Sequence, residues 1–206
     1  MVSQRKRRLF FGLGLAVALA LAVPASASAV STLTGEGLSG TTSGSASCGT
    51  STYSASGTST GPYPGTFTES GSWPFAGALS ATFTITSGST TITGSKSAPS
   101  DSTACGSSGG APFAIFQSNR GSYTATIHTP NGNFHDEGAT TVVVGINVNI
   151  NRQLDPLTES FTSSLTAPVL IAPTSKDQCK NDGWKAFPQF QNQGQCVSSV
   201  QSQRPS

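Results

Sequence analysis

The sequence predicts an all-β protein: an antiparallel meander closed as a β-barrel, or alternatively folded as a β-sandwich, with a small disulfide-tied helical C-terminal tail. Three observations carry this expectation. Period-2 alternation of apolar and hydroxyl residues recurs along the chain, turn residues separate the alternating segments at short intervals, and no amphipathic helical pattern occurs before residue 174.

In Leu79-Ser80-Ala81-Thr82-Phe83-Thr84-Ile85-Thr86 every odd position is apolar and every even one is Ser or Thr, the signature of a half-buried strand. Ser87-Gly88-Ser89 then turns the chain into Thr90-Thr91-Ile92-Thr93, its hairpin partner. Gly121–His128 alternates in the same way through Tyr123, Ala125 and Ile127. Pro130-Asn131-Gly132 follows, and Asn-Gly favours a type I′ turn, whose two central residues need positive φ. The return strand runs through Phe134 and later Val142–Ile150, with Ile146, Val148 and Ile150 on one face and asparagines on the other. Residues 48–59, 63–73, 112–117 and 157–165 are further strand candidates. Eight or nine short-linked strands suit a barrel, because consecutive hairpins need no long crossover, and the sandwich stays open.

Ser, Thr and Gly dominate Ser31–Gly110, a bias that would signal a disordered linker if the alternation were absent. The mature chain is long enough for one β domain, residues 30–172, with a core of its own. Pro168-Val-Leu-Ile-Ala-Pro173 ends it, and the tail, residues 173–206, changes character. Ser175-Lys-Asp-Gln178 reads as a capping box opening a short helix that Asp182-Gly183 can end, and Gln193-Gly194 reads as a second turn. Two short helical turns and a frayed end at 201–206 are expected.

Residues 1–29 read as a cleavable signal peptide. Arg5, Lys6, Arg7 and Arg8 precede the apolar run Leu9–Val23, and Pro24 with Ala25-Ser-Ala27-Ser-Ala29 supplies a small-residue cleavage site after Ala27 or Ala29. A membrane-spanning helix needs about 20 apolar residues, and this run is shorter and ends at a proline. Arg7-Arg8-Leu9-Phe10 also fits a twin-arginine signal, so the export route is open. The expected location is secreted, extracellular, with cell-wall association as an option.

Cleavage removes four of the eleven Lys and Arg, so seven bases face nine acids and the formal net charge moves from +2 to −2. Between residues 30 and 172 the bases are Lys96, Arg120 and Arg152 alone. A nucleic-acid partner is therefore excluded for want of a basic face, and no polybasic stretch supports membrane association or insertion after cleavage.

An even number of cysteines in an exported chain reads as disulfides, and four allow three pairings. Cys179–Cys196 would close a small tail loop, and Cys48–Cys105 would tie an early strand to the loop after the 79–97 hairpin. This is the expected connectivity. The absence of any Cys-x-x-Cys pair argues against zinc.

Apparent catalytic motifs fail on context. Gly57-Thr-Ser59-Thr-Gly61 matches the hydrolase nucleophile elbow, but a Ser/Gly-rich β segment offers no strand–turn–helix setting. Gly35-Glu-Gly37-Leu-Ser-Gly40 matches a dinucleotide fingerprint with no preceding strand and no following helix. His128, His135 and Asp136, with Glu137 beside them, form the one candidate metal or acid–base cluster, since the 130–132 turn could bring the histidines together. Tyr63, in Gly-Pro-Tyr-Pro-Gly, and Trp73 and Phe75, flanking Pro74, are candidate ligand-stacking aromatics. No cofactor is expected, and no Asn-x-Ser/Thr acceptor occurs.

The tail, Ser175-Lys-Asp-Gln-Cys179-Lys-Asn-Asp-Gly-Trp184-Lys-Ala-Phe187 through Asn192-Gln-Gly-Gln-Cys196-Val-Ser-Ser-Val200, resembles a C-terminal motif of uncharacterised exported proteins of Gram-positive bacteria. Gly61-Pro-Tyr-Pro-Gly-Thr-Phe67-Thr-Glu69 and Ala81-Thr-Phe-Thr-Ile85 are similar to the β domain often preceding it. The resemblance implies an extracellular protein and carries over no catalytic residue. In composition the strands also resemble bacterial barrels of the allene-oxide-cyclase type, a likeness that licenses no activity.

Three functional expectations follow. The first is a secreted or cell-surface protein with a non-catalytic structural or interaction role, in contact with cell wall or glycan. The alternative is an extracellular barrel that binds glycan or a small apolar molecule in a cavity lined by Phe83, Phe113 and Tyr123. The third is a metal-assisted enzyme using His128, His135 and Asp136.

Overall fold

The computed structural model describes residues 30–108, 110–147 and 157–202. Residues 1–29, expected as a signal peptide, residues 148–150, expected to continue a strand, and residues 203–206 of the expected frayed end lie outside the described residues.

Strands β1 (Gly37–Ser45), β2 (Thr50–Thr60), β3 (Gly65–Pro74), β4 (Leu79–Ser87) and β5 (Thr90–Ala98) follow one another as antiparallel hairpins. Then come β6 (Ser102–Ser108), β7 (Ala111–Thr129), β8 (Gly132–Asn147), β9 (Leu157–Ser163) and the two-residue β10 (Val169–Leu170). Strand β7 pairs with β5, β8 with β7 and β9 with β8, and β9 returns to β1. Eight strands thus close on themselves as an antiparallel barrel, and the sandwich alternative falls because β9 joins the two ends of the sheet. Strand β6 lies outside the ring on the first half of β7, and β10 lies on the start of β8.

The alternation selects the faces. On β2 to β5 the odd or even set holding Tyr53, Phe67, Phe83 and Ile92 is buried, while the Ser and Thr between them face outward. An eight-stranded barrel has an interior just wide enough for side chains to fill. Here Trp73 packs against Tyr53 and Phe116, both at 5.7 Å between ring centroids, and Phe161 meets Phe83 at 5.2 Å and Tyr123 edge-on at 5.0 Å. Glycines make room for these rings: a Cβ on Gly94 would stand 2.4 Å from Phe83 Cζ.

The N-terminal segment before β1 closes one end. Leu33 is fully buried, Gly35 N donates to Phe161 O at 3.1 Å, and Phe161 N donates to Glu36 O at 3.0 Å. The first half of β7, the end of β8 and β6 extend past the ring, and Cys105 on β6 is bonded to Cys48 in the β1–β2 turn.

Several local expectations need correction. Strand β1 runs through Gly37–Ser45, where the alternation gives no strand candidate because Gly37, Gly40 and Gly44 interrupt it. Gly40 is needed there, since a Cβ would fall 2.3 Å from Ser56 O on β2. The Gly57–Gly61 pentad lies along the end of β2, so its context is a strand and a turn. The β7–β8 hairpin is not type I′: Thr129 pairs with Gly132 and Asn131 does not take positive φ, because the turn centre is Pro130-Asn131 and proline fixes a negative φ. The β4–β5 turn instead places Gly88 at φ 58 as the first central residue, the type II′ requirement.

The tail holds two 3-10 turns, Lys176–Cys179 and Gly183–Ala186, and a helix α1, Gln193–Ser202. The Gln193-Gly194 pair begins that helix and is not a turn: Asn192 Oδ1 accepts from Gln195 N at 3.0 Å, and Gln195 Oε1 accepts from Gln191 N at 2.8 Å. Cys179–Cys196 joins the first turn to α1, and Cys179, Cys196 and Val200 form a small separate core with Trp184, Phe187, Phe190 and Val197 around it. The tail is fastened to the barrel by Asn133 Nδ2 donating to Ala186 O at 3.2 Å and Gln189 Nε2 donating to Ile171 O at 3.0 Å. Among the described residues no helix is long and apolar enough to cross a membrane.

Candidate functional site

Among the described residues of the barrel, five acidic or basic side chains, Glu36, Glu69, Lys96, Asp136 and Glu159, are buried. Each sits on the apolar parity of its strand or at the plugged end, so the same alternation that hides the aromatic rings hides these charges. Lys96 follows Ile92 and Gly94 on the inner face of β5, Glu69 stands between Phe67 and Trp73 on β3, and Glu159 lies between Leu157 and Phe161 on β9.

Their side chains meet in the lumen. Lys96 Nζ lies 2.7 Å from Glu69 Oε2 and also contacts Glu159 Oε2, and all three side chains have no solvent exposure. Tyr53 OH donates to Glu69 Oε1 at 2.5 Å, and Thr140 Oγ1 donates to Glu159 Oε1 at 2.5 Å. Burial pushes the Glu159 carboxyl up to about 7; the Lys96 ammonium pulls it back and the neighbouring Glu69 charge adds to the rise. Burial also raises the Tyr53 hydroxyl, helped by the Glu69 charge, so the phenol is a donor at neutral pH. One ammonium between two carboxyls leaves a surplus negative charge if both ionise, which a dry interior resists.

Asp136 organises the plugged end. Its Oδ2 accepts from Leu33 N at 2.8 Å and Tyr123 OH at 3.0 Å, and its Oδ1 accepts from Ser163 Oγ at 2.5 Å. Glu36 Oε2 accepts from Tyr63 N at 2.8 Å, while burial raises the carboxyl above its ordinary range. Tyr63 OH donates to Ser31 O at 2.5 Å, and burial pushes that hydroxyl up to about 12.

The outer face is the complement. Cross-strand register aligns hydroxyls into rows around the wall: Thr41, Ser56, Thr68, Thr84, Thr93 and Thr126 form one. Ser43, Ser54, Ser70, Thr82, Ser95 and Thr124 form the next. Neighbours within a row are about 4.8 Å apart and successive rows about 6.7 Å. Ser95 Oγ and Thr124 Oγ1 are within hydrogen-bond distance at 3.2 Å, and a shallow concavity opens over these rows on β1 to β4. Asp101, Arg120 and Glu137 are the exposed charged residues of the described barrel.

The structure separates the His128–His135–Asp136 cluster. Asp136 points inward, whereas His135 faces outward with Nε2 3.1 Å from Glu137 Oε2. His128 is held by Thr93 Oγ1 and Asn133 Oδ1, both at 3.1 Å. The split is imposed by the period of 2, which sends consecutive residues 135 and 136 to opposite faces. Among the described residues no group of three or more His, Cys, Asp or Glu side chains is placed to hold a metal ion.

Of the aromatic candidates, Tyr63 and Trp73 are buried, so neither is a surface platform; Phe75 alone is exposed, at 47%. Phe83 and Tyr123, expected to line a cavity, are packed on Phe161, and Phe113 is half-buried on the β6 extension. The lumen where a ligand would sit is occupied by these rings and by the Lys96 cluster.

Lys96, Glu69 and Glu159 were not singled out from the sequence. Their signal was available: each is a charged residue at a position where alternation demands an apolar one. Comparison with family models, with curated proteins and with solved structures finds no match to this chain.

Proposed function

We propose that this is an exported protein, secreted or retained at the cell surface, with a non-catalytic structural or interaction role, and that its outer hydroxyl rows contact neutral polysaccharide of the cell envelope. The observation that carries this reading is the inverted distribution of polar groups: among the described residues the barrel buries most of its charged side chains and faces outward with Ser and Thr. A hydroxyl offers one donor and two acceptor sites, the same set that a sugar hydroxyl offers. A surface with so few charges neither repels nor concentrates ionic partners, which suits a neutral, hydrated matrix.

Two disulfides fit an extracellular or otherwise oxidising compartment. The signal-like first 29 residues and the likeness of the tail to exported proteins of Gram-positive bacteria support export.

Fractionation of producing cells and co-sedimentation with insoluble cell-wall polysaccharide test the two halves. The expected result is a processed chain in the wall or medium fraction that sediments with polysaccharide at both low and high salt. Placing charge in the centre of a row, Thr68→Lys with Thr84→Lys, should abolish sedimentation and leave the fold intact by circular dichroism. A wild-type protein that stays in the supernatant defeats the polysaccharide reading, and one confined to the cytoplasm defeats export.

A further inference from the structure

We infer that Lys96 and Glu159 are joined in the mature protein by an intramolecular amide bond, formed across the barrel lumen with Glu69 as the proton acceptor. The inference goes beyond the proposed surface role and does not depend on it.

Three features of the lumen point to this bond. First, Lys96 Nζ touches a carboxyl oxygen of Glu159 while sharing its other side with Glu69 Oε2 at 2.7 Å, and all three side chains are fully enclosed. Second, the two carboxyls are held differently. Glu69 Oε1 accepts from the phenol of Tyr53 at 2.5 Å, whereas Glu159 Oε1 accepts from Thr140 Oγ1 at 2.5 Å, a donor placed where an oxyanion would develop. Burial raises the Glu159 carboxyl to about 7, so its protonated form is populated at neutral pH and available for attack. Third, the surroundings are apolar: in register with the triad stand Ala81 and Tyr123 beside Lys96, Phe83 beside Glu69, and Leu38 and Val142 beside Glu159. An ion cluster there carries a large desolvation cost, and its conversion to a neutral amide removes an ammonium and a carboxylate together.

The step balances without a co-reactant. The Glu69 carboxylate takes a proton from the Lys96 ammonium, and the freed amine attacks Cδ of the protonated Glu159. A C–N bond forms, the carbonyl oxygen becomes an oxyanion facing Thr140 Oγ1, and Glu69 returns its proton to the hydroxyl, which leaves as water. Glu69 then takes the remaining surplus proton from nitrogen. One ammonium, one carboxylic acid and one carboxylate become one amide, one water and one carboxylic acid, with charge conserved. Fixed reactants of this kind react with effective concentrations on the order of 10⁵ M or more, and a lumen closed to solvent offers no water for the reverse step. The bond would tie β5 to β9, three strands away around the wall.

Mass spectrometry of the full chain under denaturing, non-reducing conditions tests this, with the N-terminus read from its terminal peptide. The expected mass is one water below that of the chain with two disulfides, and digestion should yield a branched peptide joining Lys96 to Glu159. A full mass overturns the inference, as does a water loss that fragmentation places elsewhere. Glu69→Gln keeps the size and a Tyr53 partner but cannot accept the proton, so the folded variant should show no loss of water. An undiminished loss in that variant overturns the role of Glu69. Glu159→Gln should lose one ammonia in place of one water and give the same branched product; retention of the intact glutamine overturns the assignment of Glu159.

Discussion

At residue scale the decisive feature is that charged side chains occupy inward positions and are paired or hydrogen-bonded there, with Glu36 Oε1 the exception. Lys96→Met leaves Glu69 and Glu159 buried without their cation, and denaturant titration should show a loss of at least about 3 kcal/mol. Replacing all three by Leu or Met of similar volume should recover the part of that loss that comes from uncompensated charge, and not the part that comes from the missing amide between β5 and β9. Asp136→Ala strands Leu33 N and the Tyr123 hydroxyl, while Ser163 Oγ keeps Glu137 O and Leu165 O as acceptors, and should cost about 2–4 kcal/mol while exposing the N-terminal segment to hydrogen exchange. Glu36 gives a signed pH effect. Its folded carboxyl binds the proton more tightly than the unfolded one, so the stabilisation is complete below the unfolded value and is lost as pH rises through the raised one. Glu36→Gln removes that loss, so its melting temperature relative to wild type should increase as pH rises above the ordinary carboxylate range. A relative melting temperature that falls with that rise in pH contradicts the assignment.

At the scale of elements the barrel and the tail rest on different supports. The strands share one continuous aromatic and aliphatic core, whereas the tail has a buried core of only Cys179, Cys196 and Val200. In the chain-entropy account a loop the size of the tail's contributes about 3 kcal/mol and the longer Cys48–Cys105 loop about 4, so the bridge matters more where the core is smaller. Reduction should therefore release amide protection in residues 174–200 before it affects β1 to β9; unchanged exchange in the tail would contradict this. Element boundaries also show where local patterns are readable. Strand β4 was legible because four apolar residues alternate without interruption, while β1 and β6 were missed because Gly and Ser occupy most of their positions and hold no period. Helix α1 was missed because it is short and its capping side chains, Asn192 and Gln195, are also ordinary turn residues.

For the whole molecule, a hydroxyl-covered barrel with few exposed charges should respond weakly to ionic strength. The melting temperature should be nearly constant between about 0.01 and 0.2 M salt, a range over which the screening length falls from about 30 Å to below 10 Å. A strong dependence would mean that surface charge contributes more than the structure implies. What the sequence by itself determined is the class of fold and the sorting of faces, since period-2 alternation fixes which residues of each strand look inward. What only the tertiary structure decided is which inward residues meet. Closure of β9 onto β1 and the pairing register bring Lys96, Glu69 and Glu159 together from β5, β3 and β9. The physical reason is that alternation is a property of one strand, whereas a contact across the lumen depends on the stagger of all eight.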